Sequence, residues 1–255
     1  MWLSYYYIAE EWLHTLVAGV QRVDVGVYYF LCGLHGNWFF DRLASFLEDN
    51  LLLKSGPILA VFWYFWFRSD EEKDRRTTII ATLAGTFLGL LATRTIALFL
   101  PYRTRPIYDT ALVSHPLSFP IPDGLLNWSS FPSDHAAYFV AMAVGVVYLS
   151  RKLAIPAVLY VTLWICLPRL YLGFHYLSDV LVGATIGLTA SLACVHAQWL
   201  RTKVAPRTLS IVNRSPQVFY PLAFLFMFEI GSMFMSTREV VRTLLHFSSV
   251  IAHRL

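Results

Sequence analysis

The chain has 255 residues, 57% of them hydrophobic and only 14% charged, with a mean hydropathy of +0.55. That composition excludes an ordinary water-soluble domain, and a net charge of +4 scattered along the chain gives no nucleic-acid-binding surface. The three cysteines, Cys32, Cys166 and Cys194, stand in apolar stretches without metal-ligand spacing; they read as small buried hydrophobes and say little about redox compartment.

The fold class this implies is all-α and polytopic in a membrane. The N-terminus carries Tyr5-Tyr6-Tyr7 and then Glu10-Glu11, without a basic start, an apolar run or a small-residue cleavage site, so no removable signal peptide is expected. Residues 1–50 are aromatic and partly amphipathic. Over Val27–Leu47 the pattern is interrupted by Gly33, Gly36, Asp41 and Arg42, and the segment is read as helices lying at or against the membrane, an extra span over 27–47 being the alternative. Six apolar runs able to cross about 30 Å of hydrocarbon follow, near Leu51–Phe67, Thr77–Leu100, His135–Leu149, Leu153–Leu172, Leu177–Leu200 and Val218–Met235. They define a six-helix core over 51–236. After it, the 237–255 tail carries Arg238-Glu239-Val240-Val241 and Leu244-Leu245, an amphipathic pattern. No repeat or domain boundary divides this single membrane domain, 1–255.

The loops after the first, third and fifth spans hold Arg68, Lys73, Arg75 and Arg76; Arg151 and Lys152; and Arg201, Lys203, Arg207 and Arg214, ten of the twenty basic residues. An excess of Lys and Arg marks the cytoplasmic side, and Asp70, Glu71, Glu72 and Asp74 in the first loop count little in this rule. Trp63, Trp66 and Trp199 beside these loops fit an aromatic belt. The opposite face receives the Tyr102–Phe131 connection, whose Pro106, Pro116, Pro120, Pro122 and Gly124 predict an ordered lid or rim instead of a helix.

On that face fall Arg105-Pro106, Pro132-Ser133-Asp134-His135 and Arg169-x5-His175-x3-Asp179. Ionisable residues are costly at membrane depth, so a set of them flanking apolar spans reads as a functional site. If His175 opens the fifth span, Asp179 lies at i+4 on the same face, close enough to orient or hydrogen-bond the imidazole. An imidazole held in one tautomer is a competent nucleophile toward phosphorus. Pro132-Ser133-Asp134-His135 stands at the start of the third span, where free backbone N–H groups favour an anion and His135 could protonate a leaving oxygen. Arg105 and Arg169 offer planar forks for phosphate oxygens.

A single histidine beside an apolar span is more often structural than catalytic; the order and shared face of three segments favour a site. His14, His35, His115, His196, His246 and His253 lack an acidic or metal-like partner at useful spacing. Glu229 is expected to make an internal hydrogen bond, and Lys54 to snorkel to the membrane surface.

These segments resemble the signature of the type-2 phosphatidic acid phosphatase family, Lys-x6-Arg-Pro, Pro-Ser-Gly-His and Ser-Arg-x5-His-x3-Asp, over about residues 50–200. The resemblance implies a six-helix membrane fold and hydrolysis of lipid phosphates or diphosphates without metal or other cofactor. It also implies a phosphohistidine at His175, oriented by Asp179, with His135 as general acid and Arg105, Ser133 and Arg169 on phosphate. Ser130-Phe-Pro-Ser-Asp-His135 is similar in wording to bacterial undecaprenyl-diphosphate phosphatases of that family. Three positions depart from the pattern. Asp134, grouped here with the phosphate-binding set, replaces glycine; Pro168 replaces serine; and Leu98 stands where the family has lysine. Arg94, one helical turn before Leu98, is the predicted stand-in at the phosphate, pairing with an acid on a neighbouring helix being the alternative.

The expectation is a bacterial cytoplasmic-membrane phosphatase whose site faces outward, with lipid phosphate as substrate, membrane lipids around it and no nucleic acid. Undecaprenyl diphosphate is favoured over phosphatidate, phosphatidylglycerophosphate or a lipid A phosphate. A lipid phosphotransferase and a non-catalytic lipid-binding relative are the competing functions.

Overall fold

The computed structural model describes residues 2–68, 72–112, 115–119, 123–235, 237, 240 and 243. Asp70 and Glu71, Pro120 and Pro122, the Arg238-Glu239 and Leu244-Leu245 tail pattern, His246 and His253 lie outside the described residues. The helices in chain order are α1 (Trp2–Cys32), α2 (Trp38–Asp49), α3 (Leu51–Phe67), α4 (Glu72–Phe99), α5 (Asp134–Leu149), α6 (Ala154–Tyr160), α7 (Leu167–Tyr171), α8 (Leu177–His196), α9 (Ala205–Arg214) and α10 (Pro216–Gly231). A π-helical stretch, Val161–Cys166, joins α6 to α7. Lys73–Phe99, Arg151–Tyr171 and Leu177–His196 are long and apolar enough to cross a membrane, whereas Leu51–Phe67, Asp134–Leu149 and Pro216–Gly231 are shorter apolar helices. The six expected runs thus appear as three long and three short helices.

α5 is apolar on every side, from Ala136 through Tyr138, Phe139 and Met142 to Val146, and a helix without a polar face belongs at the centre. α4 and α8 pack against it. Lipid tails are as apolar as leucine, so helices in a bilayer associate by close packing and hydrogen bonds between small residues. A Cβ on Gly183 would lie 2.1 Å from the Ser133 carbonyl oxygen, and one on Gly187 would lie 1.9 Å from that of Ala137. Only glycine admits the α5 backbone so near. Ser191 Oγ donates to Ala141 O at 2.9 Å on the same seam. Tyr138 Oη donates to Ile230 O at 2.5 Å, and Ser55 Oγ to Gly231 O at 2.6 Å, so α10 is tied to α5 and α3. The buried Thr82 and Thr86 of α4 satisfy their hydroxyls on carbonyls four residues back.

The N-terminal segment does not make a span over 27–47. The helix breaks between Cys32 and Trp38, where Gly36 takes φ +81°, and Asn37 Oδ1 then accepts the Phe39 amide at 3.1 Å to start α2. α2 buries Asp41, Ala44 and Leu47 and exposes Trp38, Phe39, Leu43 and Phe46. Its inner face is pinned through Asp41, which accepts from Tyr171 Oη at 2.6 Å, Ser118 N at 2.7 Å and Gly36 N at 3.1 Å. His35 is likewise structural, bridging His115 O at 3.0 Å and Tyr171 O at 2.6 Å.

Candidate active site

The motifs converge where α5 and α8 begin and α7 ends. Ser133 is the N-cap of α5; its Oγ accepts the Ala136 amide at 3.4 Å, and its own amide donates to Asp179 O at 3.0 Å. After α7 the chain turns at Gly173, which has φ +68° and no room for a side chain beside Tyr28 and Ile107. That turn folds His175 back under the residues that precede it. Arg105 Nη1 donates to Phe174 O at 2.6 Å and lies 3.4 Å from His175 Nε2; Arg169 Nη2 lies 3.3 Å from the same nitrogen. His175 is 3% exposed.

The other ring nitrogen, Nδ1, is 2.8 Å from Ser130 O, a carbonyl that can only accept. Nδ1 therefore carries the hydrogen, and Nε2 of the neutral ring keeps its lone pair toward the two guanidinium groups. Burial pushes the imidazole below its ordinary pKa of 6.5; Asp179 opposes this, while Arg169 and Arg105 add to it. Burial, with Arg169 next, brings Arg105 from 12.5 down to about 10, so it stays cationic at neutral pH.

Asp179 is near the ring, as the i+4 spacing predicts, but does not hydrogen-bond it: its Oδ2 is 3.7 Å from Nδ1. As the third residue of α8 it accepts the Tyr176 amide at 2.8 Å, as in a capping box. Its Oδ1 is taken by Arg103 Nη1.

His135 has its Nδ1 3.0 Å from Asp134 Oδ1, and Asp134 Oδ2 is paired with Arg94. The Arg94 guanidinium also lies 5.0 Å over the Trp128 ring. Arg94 and Asp134, predicted on phosphate, thus face each other in the pairing that the sequence left as the alternative. Leu98 is 83% exposed, so the position of the family lysine points out of the fold.

Asp24, Glu48 and Arg103, which carried no expectation from the sequence, complete the surroundings together with Lys54. Glu48 of α2 is ion-paired with Arg169 Nη1. Lys54 does not snorkel: it is buried, with Nζ 3.5 Å from the same Glu48 oxygen. Arg103 reaches both Asp179 and Asp24 of α1. Asp24 in an otherwise apolar run and Glu48 at the end of an amphipathic helix were the available signals. Arg105 Nε, Arg169 Nε and Ser130 Oγ are buried without a hydrogen-bond partner. Buried donors left open in this way suit an incoming acceptor, and two guanidinium groups beside an imidazole nitrogen suit a phosphoryl group. Among the described residues no group of three His, Cys, Asp or Glu side chains is placed to hold a metal ion.

Residues 96–203, which carry every one of these motifs, match the PAP2 superfamily. This chain has a PAP2 superfamily domain. It is similar to undecaprenyl-diphosphatase BcrC of Bacillus subtilis, 26% identical over 60% of this chain and 72% of that protein. It is also similar to the lipid A 1-diphosphate synthase of Escherichia coli, 25% identical over 76% of this chain and 77% of that one. Among solved structures, a transmembrane PAP2-type phosphatidylglycerolphosphate phosphatase from Bacillus subtilis aligns with a TM-score of 0.47 and 19% identity, covering 69% of this chain and 84% of the other. The match and these relatives support a phosphoric ester hydrolase at family level. Asp24, Glu48, Lys54 and Arg94 precede the matched PAP2 residues.

Proposed function

We propose that this protein removes a phosphoryl group from a lipid phosphate or diphosphate through a phosphohistidine on His175, with undecaprenyl diphosphate as the favoured substrate. The observation that carries the reading is the unprotonated Nε2 of His175 facing the Arg105 and Arg169 guanidinium donors while Ser130 O holds Nδ1. The Nε2 lone pair forms a bond to phosphorus as the bond to the leaving oxygen breaks. His135 supplies the proton for that oxygen, and Asp134 on its Nδ1 directs the opposite nitrogen toward it. Water then attacks phosphorus, forming the new O–P bond and giving a proton back to His135, while the P–N bond breaks and its electron pair returns to Nε2. Arg105 and Arg169 hold the equatorial oxygens, with Ser133 at the α5 N-terminus, and supply the positive charge the transition state requires.

The likeness to an undecaprenyl-diphosphatase supports that substrate, and the likeness to a lipid A 1-diphosphate synthase supports transfer to a lipid acceptor as the second reading. The site is read as facing the periplasm or exterior of a bacterial inner membrane, because the ten basic residues lie where α3 passes into α4 and after the ends of α5 and α8, away from the motifs.

Phosphate release by the purified protein from a panel of lipid mono- and diphosphates, with and without EDTA, tests the function. Release from undecaprenyl diphosphate, unaffected by EDTA, is expected; no release from any lipid phosphate rejects it. A lipid acceptor in the same assay separates hydrolysis from transfer. In intact cells, an impermeant thiol reagent should label Thr110→Cys and not Thr202→Cys; the reverse would overturn the orientation.

A further inference from the structure

Asp179 is positioned by more than its own helix. Arg103, in the extended stretch after α4, donates from Nη1 to Asp179 Oδ1 and to Ser178 Oγ at 2.8 Å, and from Nη2 to Asp24 Oδ2 at 2.7 Å. Asp24 is itself fixed to the start of α8: its Oδ1 accepts the Ser178 amide at 2.8 Å and its Oδ2 accepts Ser178 Oγ at 2.5 Å. The guanidinium lies 4.1 Å over the Tyr176 ring. Both carboxylates are fully buried, although a buried carboxylate is costly without a cation. The main chain of the same stretch holds the nucleophile's other partner, since Ser130 N donates to Arg103 O at 2.9 Å while Ser130 O receives His175 Nδ1.

With both oxygens of Asp179 occupied by Arg103 and the Tyr176 amide, the carboxylate stands 3.7 Å from the imidazole without hydrogen-bonding it. A free carboxylate at that distance would compete with Ser130 O for Nδ1 and stabilise the imidazolium, which cannot attack phosphorus. Resting on the phosphohistidine reading above, we propose that Arg103 is a positioning residue that holds Asp179 off the ring and offsets its charge, so that His175 is presented neutral with Nε2 unprotonated. Asp24 of α1 anchors Arg103 in that place. The charged groups facing His175 are then Arg105 and Arg169 at Nε2 and Asp179 on the Nδ1 side, with Arg103 and Asp24 behind it and Asp109 near Tyr176. α1, outside the residues matched to the family, becomes part of the catalytic apparatus of this chain.

The test is a 15N-histidine NMR titration of the full-length protein in micelles, with the His175 signal assigned by its loss in His175→Ala. The pH profile of phosphate release is recorded in parallel. In the wild type the neutral ring should be the Nδ1–H tautomer. Arg103→Met should raise the His175 pKa by about one unit, as expected for removing a cation behind a neighbouring carboxylate. The acid limb of the rate profile should move up with it. Arg103→Lys, which can reach one carboxylate but not both, should return part of the shift. If Arg103→Met does not stay folded, Arg103→Gln serves instead: it removes the cation while keeping an amide donor for the carboxylates, and the shift should have the same sign. An unchanged His175 pKa and tautomer in a folded variant overturns the role of Arg103 whether or not lipid is hydrolysed. A wild type that shows the tautomer but releases no phosphate rejects the proposed function and leaves the titration able to decide on Arg103.

Discussion

Glu48 and Arg169 meet through a single carboxylate oxygen, Glu48 Oε1, which is also 3.5 Å from Lys54 Nζ. Burial alone would raise the Glu48 carboxyl; Arg169 first, then His135 and Lys54, bring it to about 2, so it is charged at any working pH. A fixed carboxylate on Arg169 occupies a prong of the guanidinium that an anion could otherwise use.

Glu48→Ala should therefore destabilise the anion-free protein, on the order of 3 kcal/mol for a buried cation pair losing its counter-charge. Orthovanadate, which mimics phosphate, should restore more of the thermal midpoint in the variant than it adds to the wild type. An unchanged midpoint without anion would show that Glu48 does not neutralise Arg169 and Lys54.

Arg94→Met should lower kcat about tenfold with little change in KM, because Arg94 touches Asp134 and acts on His135 through it; His135 itself, as a general acid, should contribute about 10²–10⁴. Leu98→Lys should restore nothing, since that position faces outward. A rise in KM alone, or rescue by Leu98→Lys, would place the cation on phosphate instead.

The helix seam makes a graded prediction. Gly187→Ala puts a methyl 1.9 Å from a backbone oxygen, and Gly183→Ala puts one 2.1 Å from the oxygen of Ser133. Each should cost about 3 kcal/mol, the upper end for overpacking, and Gly183→Ala should also abolish turnover by displacing Ser133. Gly89→Ala, with its nearest neighbour at 3.5 Å, should be tolerated. Thermal unfolding in detergent checks the order; equal stability of all three would contradict the packing described.

The pH profile follows from His175. Its pKa is lowered from 6.5, and the attacking ring must be neutral, so the acid limb of the profile belongs to His175 and activity is lost there as pH falls through the lowered value. The acid limb of the kcat/KM profile should lie below 6.5. An acid limb at or above 6.5 would mean that the ring is not the buried, arginine-flanked group described.

What the sequence made legible was what short-range pattern encodes. Six apolar runs, the start of α5 beside Ser133 and the neighbourhood of Arg105, Arg169 and His175 follow from hydropathy and motif spacing. The partners of those residues did not. Lys54 near the end of an apolar helix looks like a snorkelling lysine because its partner stays hidden until α2 folds over α3. Arg169 and Glu48 are 121 residues apart, and Arg103 and Asp24 are 79 apart, separations at which no periodicity operates. The Asp179 spacing gave the correct proximity; of orienting the ring and hydrogen-bonding it, the 3.7 Å separation favours the first, because the α8 N-terminus claims the carboxylate.

The most direct measurement of the central claim is rapid acid-free quench of the purified protein turning over undecaprenyl diphosphate labelled with 32P at its terminal phosphate, followed by mapping of the labelled peptide. The account predicts an acid-labile, base-stable label on the peptide containing His175, absent from His175→Ala, which should also release no phosphate. Steady phosphate release by His175→Ala at near the wild-type rate would contradict it.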